Sequence, residues 1–359
     1  MRKVLLSITV MLLVSTTLTI AQTKVIKRNA TKSNDYGVSY FLPKSLLEIQ
    51  VSVSKTEMEA GPYYKYAEKY LGTTNIIVEN KTYYELDGVQ VYLKGVPDKD
   101  KSYLVELKSG TTAPFVYLTE SGLICTINAE YVPAENKDAN EKTIVASNSK
   151  LSPEALFTEE YLHAGSTAKM AEIAAKQIYK IRESRMDILT GNSDNAPRDG
   201  AAMKLVLEQL EAQEKTLVEL FTGTANRSSA KSVTFAVEPK AEIERGVIFR
   251  FSKYLGVVGN EDLSGQPIYM NLRKVEKGDL EVFDTKKKDK NSDKGVVYNI
   301  PGRGEVEIYY GANRMYRGTF DITQFGTTQV LANPIFENKK SPVKVYFYPE
   351  TGGIKKIEQ

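Results

Sequence analysis

Apolar and polar residues alternate with a period of two through the first third of the chain. From Leu47 to Val53 every second residue is aliphatic, and the positions between them hold Glu, Gln and Ser. The stretch from Tyr103 to Leu107 repeats the alternation. Because successive side chains of a strand point to opposite faces of a sheet, this pattern predicts half-buried strands between about residues 36 and 132.

Two local signals lie within this strand-rich region. Asp87-Gly88 stands between two strand-like runs and predicts the turn of a β-hairpin. The stretch from Pro62 to Leu71 predicts a short helix, since Pro suits the first helical turn and Gly72 follows directly after the end.

Three tyrosines of this short helix recur at steps of three and four residues: Tyr63, Tyr66 and Tyr70. Residues at that spacing share one helix face. An exposed aromatic stripe could hold a sugar or a partner protein, so the three residues form a possible binding surface. The alternative, which the amphipathic spacing favours, is that the rings fix the helix onto the neighbouring sheet.

The segment 151–225 has the helical period instead. Apolar residues follow steps of three and four from Ala171 to Ile188 and again from Met203 to Phe221. A polar loop at 191–199 separates the two runs, which predicts a long antiparallel helical hairpin. The apolar face of each predicted helix contains one charged residue, Arg185 on the first and Glu214 on the second. Their distances from the loop predict that they face different turns and do not pair.

The period of two returns after Ser232, for example from Val247 to Phe251 and from Val343 to Phe347. The predicted fold is α+β, with two mainly antiparallel, sandwich-like β domains flanking the helical hairpin. The predicted domains are an N-terminal β domain with one short helix at 22–150, the hairpin at 151–225, and a C-terminal β-sandwich-like domain at 226–359.

The first 21 residues have the pattern of a secretory signal peptide. Arg2 and Lys3 precede a short apolar run, and small residues allow cleavage after Ala21. The alternative, a retained membrane anchor, fits less well because the run is short and contains several Ser and Thr. No later segment is long and apolar enough to span a bilayer. We therefore expect an exported protein, periplasmic or associated with the outer membrane.

Charge and composition argue against several classes of function. Without Arg2 and Lys3, the 48 Lys and Arg become 46, against 45 Asp and Glu. A nearly neutral chain is a poor nucleic-acid binder, because such proteins neutralise several phosphates. The single histidine, His163, and the single cysteine, Cys125, provide no zinc-ligand set, and no cofactor site is predicted. Cys125 lies in an apolar run, which favours a buried, unreactive thiol.

Three short motifs resemble those of penicillin-recognising serine enzymes. They are Ser166-Thr167-Ala168-Lys169, Ser193-Asp194-Asn195 and Lys108-Ser109-Gly110-Thr111. Their order differs from that family, in which the Lys-containing strand motif comes last. A long predicted helix also separates the first two motifs, and Ser166 or Thr167 as a helix cap explains the same residues. We therefore interpret the motifs as structural.

Longer stretches resemble one family across nearly the whole mature chain. They include Tyr40-Phe41-Leu42-Pro43-Lys44 near the start, Ile178-Tyr179-Lys180-Ile181-Arg182 in the middle, and Phe249-Arg250-Phe251-Ser252 toward the end. These stretches are similar to the family known as domain of unknown function 4831, from Bacteroides-type bacteria. The resemblance implies export and one family unit from about Tyr36 to the end. It carries over no catalytic residue.

The sequence favours a function in binding, as a scaffold or accessory component of the cell envelope. The partner would be an envelope or outer-membrane protein, or a glycan. One alternative is a hydrolase of envelope polymers that uses carboxylates such as Glu159 and Glu160. Another is a structural component of a surface assembly.

Overall fold

The computed structural model describes residues 24–27, 37–106, 116–131, 151–193, 197, 199–229, 232–275, 295–332 and 343–358. The predicted signal peptide, the motif at 108–111 and most of the motif at 193–195 lie outside these residues.

The first sheet is built on one long antiparallel pair, β2 (Gly37–Glu59) and β3 (Lys81–Glu106). The short strand β1 (Lys24–Lys27) pairs with β3. The other edge of β2 pairs with both β6 (Thr224–Ser229) and β7 (Val233–Val237). Leu47, Ile49 and Val51 are fully buried on one face, which confirms the predicted strand and its inward side.

The predicted hairpin turn at Asp87-Gly88 is wrong. Both residues lie inside β3, where Gly88 pairs with Ser52 and Leu86 pairs with Val53. Asp87 is therefore the additional residue of a β-bulge, and the strand continues past it. An Asp-Gly step suits a bulge and a turn equally well, and the apolar residues on both sides keep the strand within the sheet.

The short helix is confirmed in outline. A 3-10 turn at Tyr64–Tyr66 leads into α1 (Ala67–Leu71), and Gly72 ends it in the left-handed conformation at φ 64°. After the 3-10 turn Pro153–Leu156 come three further helices, α2 (Glu159–Leu162), α3 (Thr167–Thr190) and α4 (Gly200–Thr222).

Side-chain caps define where the two longer helices begin. Ser166 Oγ accepts the Lys169 N–H at 3.2 Å, and Asp199 Oδ2 accepts the Ala202 N–H at 2.9 Å. Such caps satisfy N–H groups that have no partner within the first helical turn. The helix cap predicted at Ser166 or Thr167 is thereby confirmed, and it is Ser166.

The second sheet contains β8 (Ile243–Ser252), β9 (Gly256–Val258), β10 (Gln266–Val275), β11 (Gly295–Tyr310) and β12 (Asn313–Ala332). Its strand order is β12-β11-β10-β8-β9, and all pairs are antiparallel. A third sheet joins β4 (Val116–Leu118) and β5 (Ile124–Ile127) to β13 (Lys344–Phe347) and β14 (Ile354–Glu358).

Strands from both sides of the helices share two of the three cores formed by the described residues. In the first core, β2 and β3 residues such as Ile49 pack with Phe249 and Ile308 of the second sheet. In the second core, Tyr40 and Ile124 pack with Val345. The described residues form mostly antiparallel sheet with few helices, which agrees with the predicted mainly antiparallel β character. The domain boundaries at 150 and 226 stay predictions.

Candidate functional site

The first tyrosine of the predicted binding surface is buried. Tyr63 is 3% exposed and belongs to the core formed with the helices. Its ring centroid lies 5.5 Å from that of Phe221 and 6.4 Å from that of Tyr161, and its hydroxyl bonds the Tyr161 hydroxyl. Tyr63 therefore anchors the segment before α1 to the helices, and its ring is not available to a ligand.

Tyr66 and Tyr70 are half-buried against the same helical core. Their ring centroids lie 6.2 Å apart, and the Tyr179 hydroxyl of α3 donates to the Tyr70 carbonyl at 2.7 Å. The alternative, in which the rings hold the short helix in place by packing, thus describes Tyr63. Its ring packs against the helices, however, and not against a sheet. A binding role for Tyr66 and Tyr70 stays a prediction.

The residues considered for chemistry do not form a common site. Glu159 has a 91% exposed side chain, Glu160 is also exposed, and His163 Nε2 lies 3.9 Å from Glu159 Oε1 at the surface. Cys125 is fully buried, and burial raises the pKa of its thiol to about 11. Within the described residues, no group of three or more His, Cys, Asp or Glu could hold a metal ion.

The charged residues on the two long helices meet, contrary to the sequence prediction. Arg182 Nε donates to Glu214 Oε1 at 2.7 Å, and Arg185 forms an ion pair with Glu214 Oε2, also at 2.7 Å. The prediction compared backbone positions only. A helix rises about 1.5 Å per residue, so long arginine side chains one turn apart can reach the same carboxylate.

The two long helices are buried at one end only. Their buried residues are Ala171 to Ile181 on α3 and Thr216 to Phe221 on α4. Beyond these stretches, α3 exposes Met186 by 60% and Leu189 by 63%, and α4 exposes Leu205 by 58%. Contiguous exposed apolar side chains mark interaction sites, and Met186 and Leu189 share one face of α3. We call Met186, Leu189 and Leu205 the helix-end surface.

A cleft of about 390 Å³ lies where the buried end of α4 meets the end of β2. Its lining includes the carboxylates Glu59 and Glu219 together with Ser152 and Thr224. The Thr224 hydroxyl is buried and has no hydrogen-bond partner among the described residues. The cleft therefore combines concavity, two carboxylates and one unsatisfied hydroxyl, which are features of a small-ligand site.

Comparison with known proteins places most of the chain in one family. Residues 36–355 match the family described as Domain of unknown function (DUF4831). The chain belongs to the DUF4831 family. No curated protein matches the chain, and no solved structure does.

The family match confirms the resemblance found in the sequence. Among the described residues it includes the four helices and strands of each of the three sheets. The cleft of this DUF4831 chain was missed by sequence reasoning. Glu59 and Glu219 are 160 residues apart in the chain, and no local motif relates them. None of the described helices is both long and apolar enough to cross a membrane.

Proposed function

We propose that this DUF4831 chain is an exported envelope protein that acts by binding, as a scaffold or accessory component. In this proposal α3 and α4 form an antiparallel helical hairpin held by sandwich-like β layers. The helix-end surface then binds an envelope or outer-membrane protein.

The observation that carries the proposal is the exposure of Met186, Leu189 and Leu205. Leaving three large apolar side chains in water forgoes the roughly 25 cal/mol per Å² that their burial would contribute. Met186 and Leu189 are three residues apart and share a helix face. The residues 191–199 connect this end of α3 to α4, on which Leu205 lies.

The pairing of the helices supports the same proposal. Arg182 and Arg185 of α3 both reach Glu214 of α4, beyond the last buried residue of α3, Ile181. A carboxylate between two guanidiniums holds the helices together where the apolar core ends. The helix-end surface would therefore be presented on ordered helices, and little conformational entropy would be lost on binding.

Pull-down of the tagged chain after crosslinking in its native envelope tests the proposal. We expect one membrane or surface protein in stoichiometric amount. Leu189→Glu combined with Leu205→Glu should reduce its recovery by about tenfold or more. The control is Leu263→Glu, which changes a leucine that is 80% exposed but lies outside the helices. Equal recovery with the double variant and the control would contradict the proposal.

Export is tested separately by cell fractionation and by the mass of the purified chain. The proposal requires a mature chain that begins at Gln22, since cleavage is expected after Ala21. A full-length chain recovered from the cytoplasm would contradict export.

A hydrolase of envelope polymers is the second candidate function. The cleft favours it through Glu59 and Glu219, whereas Glu159 and Glu160 lie exposed on α2. Paired carboxylates can act as general acid and base in the hydrolysis of glycosidic bonds. Hydrolysis of peptidoglycan or of envelope polysaccharide that is lost in both Glu59→Gln and Glu219→Gln would support this function. Retained hydrolysis in both variants would exclude the cleft as its site.

The third possibility, a structural component of a surface assembly, predicts a different product of the same crosslinking experiment. Crosslinks between copies of this chain, and not to another protein, would favour assembly by self-association.

A further inference from the structure

One arginine of the second sheet has a backbone conformation that its side chain disfavours. Arg245 has φ 49°, in the left-handed region. The register of β8 and β10 shifts here, so that Glu244 and Arg245 lie opposite the single residue Asn271. Glycine commonly occupies such a bulge position because it has no Cβ. Residues held in such strained conformations cluster at functional sites.

The bulge orders the region around Arg245. The Arg245 N–H donates to Asn271 Oδ1 at 2.8 Å, which satisfies the donor that the bulge removes from the strand ladder. The guanidinium carbon of Arg245 lies 4.7 Å from the ring centroid of Tyr269, a cation–π arrangement. Both contacts hold the guanidinium over the outer face of the sheet.

A pocket of about 220 Å³ is formed at this bulge. Its lining includes Tyr269 and Tyr309, which are direct partners across β10 and β11. Asn271 and Arg273 continue along β10 at alternate positions and so share the face of Tyr269. We call this site the arginine–tyrosine pocket. Its two guanidiniums come from Arg245 and Arg273.

The arginines of the pocket differ in their ion pairs from the arginines of the neighbouring strands. Within the described part of the chain, Arg245 and Arg273 form no ion pair with a carboxylate. On the adjacent strand β12, by contrast, Arg314 and Arg317 each pair with a glutamate of β11. Glu305 and Glu307, which lie opposite Arg273 and Asn271 on β11, are thus paired with arginines of β12. The two guanidiniums of the pocket can therefore bind an anion.

We propose that the arginine–tyrosine pocket binds a small anionic sugar. The carboxylate or phosphate of the sugar accepts from Arg245 and Arg273, while Asn271 Nδ2 donates to a ring hydroxyl. Glu244, an exposed carboxylate of the same lining, accepts from a second hydroxyl. Two guanidiniums and one carboxylate give the pocket a positive charge, which favours an anionic ligand. The pocket volume of about 220 Å³ lies below the range of about 300 to 1,000 Å³ that is usual for drug-sized ligands, so the ligand is small.

The pocket and the helix-end surface are separate sites. The arginine–tyrosine pocket lies on β8, β10 and β11, whereas the helix-end surface lies on α3 and α4. Sugar binding therefore goes beyond the proposed function and can be present or absent independently of a protein partner.

Titration of the purified mature chain, followed by nuclear magnetic resonance or calorimetry, tests the proposal. The probes are glucuronate, glucose 6-phosphate and glucose, each at up to millimolar concentration. We expect glucuronate or glucose 6-phosphate to bind at least about tenfold more tightly than glucose. A preference between the two anionic probes identifies which anion the site recognises.

Two variants and one control locate the binding. Arg245→Gly introduces a residue that suits the left-handed backbone, and it removes the guanidinium. Arg273→Gln removes the second charge. Each should weaken binding of the anionic sugar by about tenfold or more. Arg303→Gln makes the same charge change on β11, at a residue that faces Asp321 outside the pocket, and should change affinity less than twofold.

Either of two results would overturn the proposal. One is the absence of saturable binding for both anionic probes. The other is binding that Arg245→Gly and Arg273→Gln leave unchanged in correctly folded protein. Arg245→Gly relieves backbone strain but loses the contact with Tyr269, and these effects oppose each other. Its thermal stability should therefore stay close to that of the wild type, which separates lost binding from lost folding.

Discussion

Ser45 and Thr323 exchange hydrogen bonds between the first and second sheets although 278 residues separate them in the chain. The Ser45 N–H donates to Thr323 Oγ1 at 2.9 Å, and the Thr323 N–H donates to Ser45 Oγ at 3.0 Å. Both residues are buried, at 0% and 5% exposure. Each hydroxyl thus satisfies the backbone N–H of the other strand, β2 or β12, at a point where the sheets share a core.

This exchange predicts coupled losses of stability. Ser45→Ala leaves the Thr323 N–H without its side-chain acceptor. Thr323→Val removes one acceptor of the Ser45 N–H. Each substitution should lower the free energy of unfolding by about 1–3 kcal/mol. The double variant should lose at least about 0.5 kcal/mol less than the sum, because both changes break one exchange. Urea denaturation of the four proteins measures this coupling.

Thr319→Val is the matched control for that cycle, since Thr319 lies exposed on the same strand, β12. It should change stability by no more than about 0.5 kcal/mol. Additive effects of Ser45→Ala and Thr323→Val would show that the exchange does not join the sheets.

The ion pairs between the long helices predict a second stability effect. Glu214→Ala should lower the free energy of unfolding by about 1 kcal/mol, because it removes the shared partner of Arg182 and Arg185. High salt should shrink this difference, since the arginine side chains are 39% and 36% exposed. Thermal and urea unfolding at two salt concentrations measure it.

Glu208→Ala is the control for the helix ion pairs. Its partner Lys204 is 79% exposed and lies on the same helix. The expected change is under about 0.5 kcal/mol. Equal effects of Glu208→Ala and Glu214→Ala would argue that the pairing between the two helices contributes no stability.

The buried thiol predicts a specific pH dependence. Burial raises the pKa of Cys125 from 9.0 to about 11, so above about pH 9 the unfolded chain loses a proton that the folded chain retains. Stability is then lost as the pH rises, by up to about 1.4 kcal/mol per pH unit until the folded pKa is reached. Burial also raises the pKa of Tyr40, which adds a further loss of stability at higher pH.

Comparison with Cys125→Ala isolates the thiol. The difference in unfolding free energy between wild type and variant should be constant below about pH 9 and shrink above it, toward the folded pKa of about 11. A difference that stays constant through this window would show that the thiol ionises equally in both states.

Local patterns predicted the individual elements well, for physical reasons visible at particular residues. Ile49 and Val51 alternate with polar neighbours, and each strand face has a single environment, so the alternation reveals the buried side. Ser166 and Gly191 bound α3 through contacts within a few residues of the chain. Interactions of that range are encoded locally.

The features that the sequence did not predict depend on how strands distant in the chain pair and pack. The bulge at Asp87 and the exchange between Ser45 and Thr323 follow from strand register and sheet packing, to which no local period corresponds. The arginine–tyrosine pocket was missed for the same reason. Arg245 lies beside Tyr269 only because of the bulge opposite Asn271.

Site-specific photocrosslinking in living cells is the sharpest test of binding through the helix-end surface. A photoreactive residue is placed at position 189 or 205, and in parallel at position 263, which is also highly exposed but lies on a turn between strands. We expect one discrete crosslinked envelope protein from positions 189 and 205 and none from 263. Crosslinks of equal yield from all three positions, or from 263 alone, would contradict it.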